Sequence, residues 1–233
     1  MQDLTRKHVI LIGLLLVLAA GVSFAGDVAT FVNLGFSPDS SYYMFGFYGL
    51  DSATARPYAE IYVVDTKNNS FVRDGVFKGS YAVAPQPGLN PAGALYRLYA
   101  EASLVGKRYN IDPLVQGRPV YIFLDAGEPS DSISFRDFRD NSQWNVNLNK
   151  VVEEKSGAFS SSFSLAFSVT AGTRTSSFNA GNPQIKRPNV SDYAIQQIIV
   201  GTDNKTVVFV MAREETLSGR SAVRYMVETF RLP

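Results

Sequence analysis

Alternating apolar and polar residues predict strands in the second half of the chain. Residues 143–149 place Trp144, Val146 and Leu148 between polar residues, mostly asparagines, and residues 162–170 alternate large apolar residues with small ones, mostly serines. Successive side chains of a strand point to opposite faces, so each segment has one apolar and one polar face. We expect the polar faces to be exposed to solvent.

A hairpin is predicted near the start of the chain. Residues 28–49 contain two apolar, aromatic-rich runs separated by Pro38-Asp39-Ser40-Ser41. Proline fixes one backbone angle and an aspartate side chain can accept hydrogen bonds from nearby backbone, so this segment is interpreted as a turn. Asp39 is therefore expected to form the turn rather than to act in catalysis. Residues 58–66 and 71–76 predict two further strands.

One segment changes from a period of two to spacings of three and four, which is typical of an amphipathic helix. Asn90 can cap this helix, Pro91 suits its first position and Gly106 suits its end. A helix is predicted over about 91–106, with its apolar stripe covering a sheet. The stripe contains Leu95, Leu98, Tyr99, Ala102 and Val105.

The rest of the chain adds strands and one loop. Residues 119–125 and 132–138 predict short strands, and residues 194–232 are strand-like on both sides of 213–220. Residues 171–190 contain several glycines and prolines and predict an exposed, mobile polar loop.

These elements predict a mainly β protein: an antiparallel sandwich or curled sheet with one helix, in a single β-rich domain over 26–233. A small β-propeller-like array is the alternative. Propeller blades repeat about every 40–45 residues, yet steps of about that length from Asp39 meet no second Ser-Pro-Asp turn. Asp203 lies 164 residues after Asp39 in a similar context. The two hairpins are either a true repeat or two unrelated amphipathic hairpins.

The N-terminus indicates export. A short basic segment precedes an uncharged apolar run of about 13 residues over 9–21, and Ser23-Phe24-Ala25 places small residues where a signal peptidase reads them. The run is shorter than the roughly 20 residues of a membrane-spanning helix. Residues 1–25 are predicted to be a signal peptide cut near Ala25, leaving no transmembrane segment and a periplasmic or secreted protein.

Composition excludes several chemistries. The chain contains no cysteine, and its one histidine, His8, lies within the predicted signal peptide. The exported chain therefore lacks the residues of Ser-His-Asp and cysteine-based catalysis and of ordinary zinc sites. Removing residues 1–25 takes two of 22 basic and one of 21 acidic residues, so the charges balance. A neutral chain lacks the positive charge expected of a nucleic-acid-binding protein.

The carboxylates are the remaining candidates for chemistry. Paired carboxylates catalyse glycoside hydrolysis, but no spacing here fixes a pair, and turns and solvated faces are the simpler interpretation. Asp125, Glu128 and Asp131 lie in a glycine-containing loop. This loop is either a calcium site or an ordinary polar turn, and the sequence leaves both interpretations open. The sequence predicts no catalytic, cofactor-binding or metal-binding residue and no cofactor. The available carboxylates are Asp125, Glu128, Asp137, Asp140, Glu153 and Glu154.

The aromatic run over 42–48 has two interpretations. Half of the side chains of such a strand face the core, and the other half could stack on sugars. Packing is the favoured interpretation, and the outward half is the best surface for recognition.

Residues 33–72 resemble the N-terminal signature of a bacterial family of predicted secreted proteins of unknown function. Gly35 to Asp39, Tyr48-Gly49 and Pro57 to Asp65 match its turn, its Tyr-Gly pair and its Pro-Tyr-Ala-Glu-Ile-Tyr-Val-x-Asp strand. The resemblance implies secretion and brings no catalytic residue.

Together these features favour an exported, non-enzymatic cell-envelope protein that binds an envelope protein or glycan, or acts structurally. The alternatives are a carboxylate-dependent hydrolase acting on envelope glycans and a small outer-membrane β-barrel, the latter suggested by the alternating segments.

Overall fold

The computed structural model describes residues 27–83, 86, 88–124, 129–217 and 220–233. Strands dominate these residues, and one helix lies between the fifth and sixth strands. The elements are β1 (Asp27–Val28), β2 (Thr30–Phe36), β3 (Tyr42–Leu50), β4 (Pro57–Asp65), β5 (Ser70–Ser80), α1 (Ala92–Arg108), β6 (Arg118–Ile122), β7 (Ser132–Arg136), β8 (Gln143–Lys155), β9 (Ala158–Ala171), β10 (Arg174–Ala180), β11 (Arg187–Pro188), β12 (Val190–Val200), β13 (Thr206–Leu217) and β14 (Arg220–Arg231).

The strands form three sheets. The helix-covered sheet has the order β2-β3-β4-β5, the central sheet β1-β14-β13-β12-β6, and the outer sheet β10-β9-β8-β7, with β11 also paired to β9. All pairs are antiparallel except β1 with β14. The central sheet takes strands from the start, middle and end of the chain, so the three sheets are not three consecutive segments. The prediction of a mainly β sandwich with one helix is confirmed.

The central sheet is buried on both faces. Val207, Phe209 and Met211 pack into a core shared with the outer sheet, whereas Val208 and Val210 pack against the helix-covered sheet. All five are inaccessible to solvent. A strand covered on both faces becomes a continuous apolar run, which explains why β13 lacks the alternation of β8 and β9.

Helix α1 covers the remaining face of the helix-covered sheet, as its apolar stripe predicts. Leu95, Leu98 and Ala102 pack against Met44 and Ile61 of that sheet. Each layer therefore buries an apolar face against the next, in the order helix, helix-covered sheet, central sheet and outer sheet.

The ends of α1 differ slightly from the prediction. Asn90 Oδ1 accepts a hydrogen bond from Ala92 N at 2.9 Å, so asparagine does support the first turn. The predicted end at Gly106 is two residues early, since Lys107 and Arg108 are still helical. Basic residues suit the last turn of a helix because they lie near its negative dipole end.

The turns at Asp39 and Asp203 share one geometry. Each closes with a backbone hydrogen bond over six residues, of 2.9 Å from Ser37 N to Tyr42 O and 2.8 Å from Gly201 N to Thr206 O. The fourth residue of each has positive φ, 57° at Ser40 and 56° at Asn204. The strands continue in the same register, with Phe36 opposite Tyr43 and Val200 opposite Val207. The two hairpins therefore match at the predicted offset of 164 residues.

The strands that follow the two hairpins, β4 and β14, do not keep this offset. Ile61 lies opposite Gly46, whereas the residue opposite Val210 is Val227 rather than Tyr225. The same offset applied to Ile61 would place Tyr225 opposite Val210, so the strand is displaced by two residues. A shift of two preserves the buried face because side chains alternate with that period.

The prediction of one exposed loop over 171–190 is wrong, since β10 and β11 both pair with β9. Phe178 and Ala180 of β10 pack into the outer core. The intervening polar residues Ser177 and Asn179 are exposed. Only one large apolar side chain marks the period of two here, which made the strand hard to detect.

The first described strand is held by a buried ion pair. Arg224 Nη2 lies 2.6 Å from Asp27 Oδ2, and the Tyr58 hydroxyl donates to Asp27 Oδ1 at 2.8 Å. The Arg224 guanidinium also lies 4.3 Å from the centre of the Tyr58 ring. The predicted signal peptide and its cut near Ala25 lie outside the described residues.

Candidate functional site

The outer sheet presents one face to its neighbours and the other to solvent. Trp144, Val146 and Leu148 of β8 are buried against the central sheet. Asn145 and Asn147, which alternate with them, are exposed. The alternation read from the sequence thus places the asparagines on the outside of the molecule.

The register of the strands places the outward side chains of the outer sheet in three rows. We call the three rows together the polar face. Each row crosses β7, β8, β9 and β10 at directly paired positions. The rows are Arg136-Gln143-Thr170-Thr175, Ser134-Asn145-Ser168-Ser177 and Ser132-Asn147-Ala166-Asn179. Neighbouring strands lie about 4.8 Å apart and alternate residues about 6.8 Å apart along a strand, so the polar face is a regular grid.

The polar face is almost uncharged. Arg136 is its one charged member, and Ala166 its one apolar member. Surfaces designed for solubility carry charge at about 25–35% of their residues. A neutral surface of hydroxyls and amides therefore differs from an ordinary solvated sheet face.

Hydrogen bonds along the rows fix several of these side chains. Ser132 Oγ donates to Asn147 Oδ1 at 2.7 Å, and Ser134 Oγ donates to Asn145 Oδ1 at 2.9 Å. Within the described chain, the Nδ2 groups of both asparagines have no protein acceptor. The serines orient the amides and leave their N–H donors for another molecule.

The aromatic run of β3 does not form a recognition surface. Tyr43, Phe45 and Phe47 are buried between the helix-covered and central sheets. Tyr42 and Tyr48 lie on the opposite side, against the helix-side core. The sugar-stacking interpretation is therefore wrong, because both faces of β3 are covered by other layers.

Asp39 has the local role that the sequence predicts. Its Oδ1 accepts from Ser37 Oγ at 2.6 Å and from Ser41 N at 3.1 Å, and its Oδ2 accepts from Ser41 Oγ at 2.7 Å. Hydrogen bonds from the hydroxyls of Ser37 and Ser41 lower the pKa of Asp39 to about 2. These contacts organise the turn.

Asp137 and Asp140 of the candidate carboxylates lie together in the β7–β8 turn. Asp137 is buried and paired with Arg118. Asp140 Oδ1 accepts from Ser142 N at 2.9 Å, and hydrogen bonds with Ser142 lower the pKa of Asp140 against the opposing effect of partial burial. Both carboxylates accept hydrogen bonds from backbone N–H groups of the turn and so stabilise it.

Glu153 and Glu154 lie at the far end of β8 from that turn. Lys186 Nζ contacts both carboxylate oxygens of Glu153, at 2.7 and 2.8 Å. Glu154 is exposed. The structure does not bring either of them to Asp137 or Asp140.

The predicted calcium loop is only partly described. Asp125 and Glu128 lie outside the described residues. Asp131 is described, and its Oδ1 lies 2.8 Å from Lys150 Nζ, which also contacts Asp192 at 2.7 Å. Among the residues that can be placed, no three His, Cys, Asp or Glu side chains are grouped as a metal site.

Sequence reasoning missed Glu228. This residue of β14 is 7% exposed, and its Oε1 accepts hydrogen bonds from Asn69 Nδ2 and from Gly181 N, the latter at 3.0 Å. Burial raises the pKa of Glu228 above its usual 4.5, against the opposing effects of Gly181 N–H, Arg187 and Asn69. The signal was present in the sequence as a lone acidic residue in a mostly apolar segment.

The fold is thus a mainly β sandwich with one covering helix and an outer sheet whose exposed face is polar and almost uncharged. The chain belongs to the family of predicted secreted proteins DUF2259, whose model matches residues 44–231. This confirms the family resemblance, and the match begins within the motif region, after the Asp39 turn. Neither the curated proteins nor the solved structures contain a match to the chain. In the described part of the chain, no helix has the length and apolar content to cross a membrane.

Proposed function

We propose that this protein is an exported, non-catalytic binding protein whose polar face recognises a neutral glycan of the cell envelope. The observation that carries the proposal is the registered grid of hydroxyl and amide groups with one charge in twelve positions. Family membership among predicted secreted proteins supports export.

The chemistry of the polar face favours sugars over other ligands. Glycan chains offer many hydroxyl and amide groups, which can exchange hydrogen bonds with serine, threonine and asparagine. Neutral groups cost less to remove from water than ions do. Hydrogen bonds between a sugar and the polar face can therefore form without a charged partner on either side. Asn145 and Asn147 supply donors already oriented by serines.

The shape and composition favour an extended ligand. Small-molecule sites are concave, whereas the polar face lies on the open side of a sheet. Protein interfaces usually contain a core with aromatic or other large apolar anchors. The polar face has none at its twelve positions, which favours a glycan surface over a protein partner.

A sedimentation assay with insoluble peptidoglycan sacculi, chitin and cellulose tests the proposal. The wild-type protein should sediment with at least one of these polymers. Asn145→Ala/Asn147→Ala removes two oriented amides, each worth about 0.5–1.5 kcal/mol, and should weaken binding on the order of tenfold.

The matched control is Ser52→Ala/Gln116→Ala, which truncates an exposed hydroxyl and an exposed amide outside the polar face. It should bind as the wild type does. Surface truncations of both kinds should leave the melting temperature nearly unchanged. The proposal would be overturned if the wild type bound none of the three polymers. It would also be overturned if the Asn145→Ala/Asn147→Ala variant bound as tightly as the wild type.

A further inference from the structure

A separate pocket of about 420 Å³ lies where three parts of the chain meet, and we call it the junction pocket. The β4–β5 turn contributes Asn69, the connection after β10 contributes Ile185, and the central sheet contributes Glu228. Its volume falls within the range of small-molecule sites, about 300–1,000 Å³. It does not include any residue of the polar face.

The charged groups of the junction pocket are Arg187, Arg213 and Glu228. Because Glu215 is paired with Arg213, the pocket has a positive balance when Glu228 is protonated, and this balance comes from Arg187. Such a balance suits an anionic ligand, and guanidinium groups match the geometry of carboxylates.

The two arginines retain hydrogen-bonding capacity. Arg213 Nη2 pairs with Glu215 at 2.8 Å, but its buried Nε has no partner among the described residues. Arg187 Nη1 donates only to Ile185 O, at 3.3 Å, and no carboxylate in the described chain lies within ion-pair distance of this guanidinium. The Arg213 Nε is inaccessible, whereas Arg187 is only half-buried, so a carboxylate in the pocket can accept hydrogen bonds from the free N–H groups of Arg187.

Arg187 is also held in place by aromatic rings. Its guanidinium lies 5.0 Å from the centre of the Phe163 ring and 6.0 Å from that of Tyr193. Stacking of this kind restricts the side chain before any ligand binds, which lowers the entropy cost of binding.

The rest of the lining is apolar and partly open. Phe71 and Ile185 are 55% and 51% exposed, although both line the pocket. Met226 and Val227 add further apolar surface. A ligand with a hydrocarbon group would remove this surface from water.

We propose that the junction pocket binds a small amphipathic carboxylate, with its carboxylate on Arg187 and Arg213 and its apolar group on Phe71 and Ile185. Glu228 Oε2 has no hydrogen-bond partner in the described residues, so the protonated side chain can donate to the bound carboxylate. Once ionised, Glu228 repels the ligand. The other ionisable groups lining the pocket are Arg187 and Arg213, and Glu215 contacts Arg213 from outside the lining.

This arrangement makes affinity depend on pH in a defined direction. Burial raises the pKa of Glu228, so protonation extends above pH 4.5. Binding of a carboxylate should therefore be tighter near pH 5.5 than at pH 8. Glu228→Gln keeps a neutral donor at all pH values and should bind more tightly than the wild type at pH 8, with little pH dependence between the two values.

Calorimetric titration with octanoate and with N-acetylphenylalanine tests the proposal. Octanoate represents a fatty acid and N-acetylphenylalanine the carboxyl terminus of a peptide, so the preferred probe identifies the source of the ligand. Octanamide, which lacks the charge, should bind at least tenfold more weakly than octanoate.

Arg187→Gln should lose at least tenfold in affinity, and Arg187→Lys, which keeps the charge without the planar fork, should lose less. Lys186→Gln is the matched control, since it removes a neighbouring cation paired with Glu153 outside the pocket. Octanoate binding unchanged in both Arg187 variants, equal binding of octanamide, or binding of neither carboxylate by the folded wild type at either pH would overturn the proposal.

Discussion

At the scale of single residues, two core tyrosines differ in the partner of the hydroxyl group. Tyr43 Oη is completely buried, and no described residue lies within hydrogen-bond distance of it. Burial raises the pKa of Tyr43 well above its usual value. The Tyr193 hydroxyl, in contrast, accepts from Ser161 Oγ at 3.1 Å and donates to Ser161 O at 3.3 Å.

Replacing each tyrosine with phenylalanine should give opposite results. Tyr43→Phe removes an unsatisfied buried hydroxyl and should leave the free energy of unfolding unchanged or raise it by up to about 1 kcal/mol. Tyr193→Phe leaves the buried Ser161 hydroxyl without its acceptor and should lower the free energy of unfolding by about 1 kcal/mol. Urea unfolding measures both, and marked destabilisation by Tyr43→Phe would show that its hydroxyl has a stabilising partner.

Asp39→Ala should destabilise the protein in a way that depends on pH. The folded state lowers the pKa of Asp39 from 3.8 to about 2, so its contribution to stability is present above pH 3.8 and is lost as the pH falls through about 2. The stability difference between variant and wild type should therefore shrink over that interval. Glu154→Ala, at an exposed carboxylate, is the control, and a difference that grows on acidification would contradict the assignment.

At the scale of elements, contacts between the Asp39 turn and the Asp203 turn join the helix-covered sheet to the central sheet. Ser40 Oγ and Thr202 Oγ1 lie 3.0 Å apart, and Thr202 Oγ1 also lies within hydrogen-bond distance, 3.0 Å, of Pro38 O. A Cβ atom at Gly201 would come within 2.7 Å of Ser40 Oγ and 2.9 Å of Ser40 Cβ. This glycine permits the close approach of the turns.

Gly201→Ala should therefore lower the melting temperature, because the turns must separate to admit a methyl group. Gly93→Ala is the matched control: it lies in α1, and its added Cβ would have no neighbour within 4 Å. Alanine has the higher helix propensity, so Gly93→Ala should raise stability by up to about 1 kcal/mol. Thermal unfolding compares the two, and equal effects would contradict the role given to Gly201.

The elements were predictable where local pattern determines them. The alternation around Trp144 and the stripe around Leu98 predicted a strand and a helix that the structure confirms. Strand β10 was missed because Phe178 is its one large apolar residue. The polar face could be predicted only as separate exposed segments, since its rows depend on register between strands. The junction pocket unites residues far apart in sequence, so no local pattern could reveal it.

At the scale of the whole molecule, the order of layers determines which surfaces remain for binding. The helix covers one sheet, that sheet covers the central one, and the outer sheet covers the other side. The aromatic strand β3, for which the sequence favoured packing, is consequently part of the core. The neutral face of the outer sheet is left open, and it is the surface on which the proposed function depends.

The most direct test of that function is a side-chain amide NMR titration with soluble chitin oligosaccharides and peptidoglycan fragments. If the polar face binds a glycan, the Nδ2 resonances of Asn145 and Asn147 shift and saturate together, while the side-chain amide of Gln116 does not move. An absence of shifts with every oligosaccharide, or shifts of Gln116 equal to those of the two asparagines, would contradict the account.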